Sequence, residues 1–142
     1  RSAPAPSMTI FDAPTREKCA LRRSRTNTPL QALVTLNDPQ FVEAARVLAQ
    51  RTMTEGGKSV DEQIAYAYRL ATGITAKPST IAILKSADDE ELAVFQADAE
   101  RAKNLLAIGE SKRDETIDAA QHAAMSVVCS MILNLDAVIT RG

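Results

Sequence analysis

Residues 25–51 read RTNTPLQALVTLNDPQFVEAARVLAQR, and this stretch decides the fold. Thr28 stands before Pro29 and Asp38 before Pro39. A hydroxyl or carboxylate at an N-cap accepts from an exposed helix N–H, and proline at the first helical position gives up only an N–H that has no intrahelical partner. The pattern predicts two helices in immediate succession. The first ends near Leu36, and the second carries Phe41, Ala44, Ala45, Leu48 and Thr52 at helical spacing. Between them the chain must turn sharply from Asn37 to Pro39.

Downstream the punctuation continues. Gly56 and Gly57 stop the second helix, and Ser59 with Glu62 three residues later makes a capping box for a third. Its stripe is Val60, Ile64, Ala67, Tyr68 and Ala71, and Gly73 closes it. After Lys77 and Pro78 a fourth helix places Ile81, Leu84, Leu92 and Phe95 on one face. Asp98 is positioned to cap a short continuation through Leu105, Leu106 and Ile108 to Gly109. The last helix is predicted from about Thr116 to Ile139, with Ile117, Ala120, Ala124, Val127, Met131, Leu135 and Val138 in one stripe. Cys129, Ile132 and Leu133 widen its apolar surface almost all round, which places it in the middle of the bundle. Upstream, residues 1–26 hold Pro4, Pro6 and Pro14, no helical period, and a β-friendly run at Met8 to Phe11, so they read as an extended arm. The expectation is an all-α fold of five main helices around a central C-terminal helix, with an arm at 1–26 and a helical domain at 27–142.

Composition agrees with that class. A chain of 142 residues with 45% hydrophobic and 25% charged residues is ordinary for one globular domain, and no cofactor is required to hold it together. Trp is absent and Phe and Tyr together number five, so Ala, Leu, Ile and Val must build the core. Small aliphatic residues favour close helix packing over sheets. The longest apolar run, AAMSVVCSMILNL at 123–135, is interrupted by Ser126, Ser130 and Asn134, and falls short of the ~18 residues a membrane span needs.

Charge is uneven. Residues 1–30 carry six Lys and Arg against two acids, and residues 31–142 carry eleven against sixteen. The basic segment is therefore expected to lie across an acidic body. Its cations, Arg16, Lys18, Arg22, Arg23 and Arg25, could also grip phosphate or an acidic glycan through guanidinium forks. No aromatic residue is interleaved among them and no recognition helix accompanies them, which argues against nucleic acid. Arg22, Arg23, Arg25, Asn27 and Thr28 are read as the interface that ties the arm to the helices.

Other candidates reduce to structure. Cys19 and Cys129 lie in no zinc or haem-attachment spacing; a disulfide between them is open if the protein is exported, and otherwise Cys129 is a small buried apolar residue. His122, the only histidine, has Asp118 four residues before it and Ser126 four after. Three groups in one helical row face outward side by side, without an oxyanion hole, so a histidine hydrogen-bonded to Asp118 is expected in place of a catalytic triad. Asp88, Asp89, Glu90 and Glu91 lack the alternation and turn glycine of a calcium loop and read as a solvated helix face. Asn27, Asn37 and Asn134 read as backbone caps. No catalytic, metal or cofactor site is encoded.

Four segments taken together, RSAPAPSMTIFDAPTREKC, RTNTPLQALVTLNDPQFVEAARVLAQR, YRLATG and LNLDAVITR, occur in an order that resembles the carboxyl-terminal part of a planctomycete surface-protein domain of unknown function. The resemblance implies a piece of a large exported protein, periplasmic or at the cell surface, of a kind that often carries a cytochrome-c-like module as well. The haem motif of that module is absent here, and the family supplies no catalytic residues to carry over. It also implies that residues 1–26 are the middle of a larger domain, whose exposed face would promote self-association.

The functional expectation is a non-catalytic structural or interaction module whose partners are other domains of its parent protein. Two alternatives are a wall of the substrate cleft of a redox or polysaccharide-related enzyme, and an anion-binding module using the basic arm.

Overall fold

The computed structural model describes Ile10 and residues 28–139. Among these residues every regular element is helical: α1 (Pro29–Asn37), α2 (Pro39–Glu55), α3 (Val60–Thr72), α4 (Pro78–Ala97), α5 (Ala99–Leu106), α6 (Ala119–Leu133) and α7 (Asp136–Ile139). The all-α expectation holds, with seven described helices where five were predicted.

Most boundaries fall where the caps put them. Thr28 and Gln31 form a capping box at the start of α1, and Asp38 both ends α1 and caps α2 through the backbone N–H of Gln40. Ser59 and Glu62 form the second capping box, and Gly73 closes α3 with φ +74°, a left-handed conformation that costs an L side chain. Asp98 caps the short continuation as expected, accepting from the N–H of Arg101 and starting α5. One boundary differs from the sequence reading. The final helix begins only at Ala119, capped by Asp118, and stops at Leu133. Asn134 is its C-cap and accepts a hydrogen bond from the Thr35 hydroxyl at 2.8 Å, so a long-range contact marks the place where the chain breaks before α7.

α6 touches each of the other described helices. That position follows from its composition, because it contains no Asp, Glu, Lys or Arg and is apolar nearly all round. Its buried set is not the predicted stripe, however. Met125, Val128, Cys129 and Ile132 pack with Ala45 and Ala49 of α2, Ile64 and Ala67 of α3 and Leu84 of α4, while Met131 is partly exposed. A second cluster joins Phe95, Ala102 and Leu106 to Ala123 and Ala124. Alanines at these crossings let the helix axes approach closely, and each buried Ile or Leu contributes roughly 1.5–3 kcal/mol.

Arg16, Lys18, Arg22, Arg23, Arg25, Asn27 and Cys19 lie outside the described residues, as does most of the predicted arm. Ile10 has helical backbone, is half-buried, and its carbonyl accepts from the side-chain amide of Gln31 at 2.9 Å.

Candidate functional site

α1 is turned inside out. Gln31 and Thr35 face the body, 1% and 7% exposed, while Leu30, Leu33 and Leu36 stand in solvent at 53%, 56% and 46%. The inward polar residues are satisfied. Gln31 accepts from the Thr28 N–H through Oε1 and donates to Ile10 through Nε2, both at 2.9 Å, and Thr35 donates to Asn134. Thr28, read from sequence as part of an interface, serves here as the helix cap. A short helix that buries its amide and hydroxyl and exposes its leucines gains little from hydrophobic burial in this chain alone.

One turn further on, α2 grips the loop between α5 and α6. Glu43 Oε1 accepts from the backbone N–H groups of Glu110 and Ser111 at 3.0 and 2.6 Å and from the Ser111 hydroxyl. Chiefly because of the Ser111 hydroxyl, its carboxyl titrates below the usual range. Arg46 Nη2 donates to the Ser111 carbonyl at 2.7 Å, and Gln50 Oε1 accepts from the Asp114 N–H at 2.9 Å. The spacing of 43, 46 and 50 puts these three groups on one face of α2. Gly109 lies against Glu43 with φ +99°; a β-carbon there would sit 2.3 Å from the carboxyl carbon.

Arg46 is itself 1% exposed, and its Nε and Nη1 have no hydrogen-bond partner. Its carbonyl lies 3.1 Å from His122 Nε2, which must therefore carry the proton, leaving Nδ1 bare and sealed. Burial holds the imidazole below its ordinary pKa. The expected partnership of His122 with Asp118 is thus corrected: Asp118 caps Gln121, and His122 and Ser126 point into the core, not outward. The Ser126 hydroxyl donates to the His122 carbonyl at 2.6 Å, so imidazole and hydroxyl do not meet as base and nucleophile.

Asp88 corrects another expectation. Asp89 and Glu90 are solvated, yet Asp88 is 6% exposed, with Oδ1 sealed and without a hydrogen-bond partner. It lies four residues after Leu84 and four before Leu92, inside the apolar stripe of α4. Burial first, and then neighbouring Asp89, pushes its pKa up to about 6. Cys129 of α6 lies nearby, a free and wholly buried thiol pushed up to about 12 by burial. This is the small buried residue of the sequence reading, not a nucleophile.

Among the described residues no group of three or more His, Cys, Asp and Glu is placed to hold a metal ion, and no helix is long and apolar enough to cross a membrane. An open groove of ≈ 510 Å³ beside the clamped loop is lined by Lys103, Leu106, Ala107, Arg113, Glu115 and Ala119. Its charges are mixed, with Lys103 and Glu115 exposed and Arg113 partly buried. The deciding comparison is with a family profile: the PSD1 profile, described as a protein of unknown function (DUF1553), matches residues 1–87. The chain belongs to this family. No curated protein and no solved structure matches it. The matched segment contains α1, the clamp residues Glu43, Arg46 and Gln50, and α3, whereas Asp88, His122 and Cys129 lie beyond it.

Proposed function

We infer that this chain is a non-catalytic structural and interaction module of a larger exported protein, docking through the outward face of α1 onto another domain of its parent. The observation that carries this reading is the inversion of α1, with Leu30, Leu33 and Leu36 outside and Gln31 and Thr35 inside. Export and the multidomain setting rest on the resemblance of the four sequence segments. Two features favour a tethered neighbour as the occupant. α1 holds no charged residue, so its contact is apolar and needs no ion pair. Three half-exposed leucines also offer well under the roughly 800 Å² per partner that a stable free association buries, and a covalently attached domain needs less because its effective concentration is high. Arg46 Nη2, His122 Nε2, Glu43 and Gln50 each engage backbone groups, which supports a structural role for them.

A thiol-labelling comparison tests the reading. Leu33→Cys should react with a maleimide at an open-surface rate in the isolated chain and at least about tenfold more slowly in the full-length parent. Equal rates in the two would overturn it.

A further inference from the structure

We propose that Asp88 is a protonation-controlled latch: with its proton on, the middle of α4 seats against α6 as it does here, and losing that proton to solvent frees the middle of α4. The geometry carries the proposal. Asp88 is 6% exposed between Leu84 and Leu92, and its Oδ1 is sealed from solvent and meets no hydrogen-bond donor. An ionised carboxylate buried without a partner is expensive, whereas the neutral acid is tolerated.

The surroundings supply no compensating charge. α4 packs on α3, α5 and α6. From α6 the titratable groups are Cys129, whose thiol stays neutral, and His122, which faces Arg46 two turns away. From α3, Asp61 holds Lys85 at 2.9 Å, so the cation one turn before Asp88 on α4 is already committed. Glu62 of α3 closes its own capping box, and Arg69 is exposed. α5 brings Glu100, Arg101 and Lys103, all exposed, with Arg101 over the Phe95 ring. On α4 itself Asp89 adds repulsion. A midpoint of about 6 puts the proton loss within reach of ordinary changes of pH.

The test is amide hydrogen exchange across α4 between pH 5 and pH 8, corrected for intrinsic rates, with α3 as the internal reference. In the wild type, opening at Leu84 to Leu92 should increase about tenfold or more over that range while α3 holds. Asp88→Asn should abolish the pH dependence. Loss of protection in α3 and α4 together, a flat wild-type profile, or the same profile in Asp88→Asn would overturn the latch. If the variant fails to fold, carbon-detected titration of the wild-type Asp88 carboxyl decides: a midpoint well above the ordinary carboxylate range supports the proposal, and one near 4 sinks it.

Discussion

At the residue scale, two buried ionisable groups make stability depend on pH in opposite senses. Asp88 has a folded-state pKa above its unfolded value, so the folded chain binds the extra proton; its contribution is fully present at low pH and is lost as pH rises towards and through about 6. His122 has a folded-state pKa below its unfolded value, so the unfolded chain binds the extra proton and stability falls as pH drops below about 6.5. Asp88→Asn should therefore stabilise the chain by about 1–2 kcal/mol at pH 8 and leave it nearly unchanged at pH 4, read from urea midpoints. In that variant background stability should fall steadily from pH 7 to pH 5, because the opposing gain from Asp88 is gone. The sequence held a partial sign of this. Asp88 occupies the stripe position between Leu84 and Leu92, but the adjoining acids made the run look solvated. The burial of Arg46 left no such sign, since it depends on Ser111, 65 residues away. Arg46→Ala should cost about 2–4 kcal/mol by opening a cavity and releasing the loop, and Arg46→Met should cost less because it keeps the packed stem.

At the element scale, local chemistry fixed most helix ends, because a cap and its recipient N–H lie within four residues of each other. Thr28, Asp38, Ser59 and Gly73 were legible for that reason. The break at Asn134 was not, since Thr35 reaches it from the far end of the chain. Nor was the inversion of α1, which has leucines at a helical spacing that reads as a core stripe until Gln31 and Thr35 find partners inside. Glycine separates two costs at this scale. Gly73→Ala meets open space at φ +74°, so it should lose only about 1–2 kcal/mol from the left-handed backbone. Gly109→Ala adds a collision with Glu43 at φ +99° and should lose more, with the excess removed in a Glu43→Ala background. Thermal melts of the two single variants and the double variant check this.

At the scale of the whole molecule, a charge-free helix α6 touched by every other described helix explains the all-α architecture. Membership of the PSD1 family covers residues 1–87 and so includes the outward leucines of α1. On the proposed reading, function at this scale rests on a neighbouring domain of a longer parent protein docked over them. The most direct test is thermal unfolding of the chain alone and of its full-length parent, each with and without Leu30→Gln, Leu33→Gln and Leu36→Gln combined. Glutamine keeps helix propensity, so the isolated chain should lose no more than about 1 kcal/mol while the parent loses domain docking and melts at lower temperature. A loss of several kcal/mol in the isolated chain, or an unchanged parent, would contradict the docking role of α1.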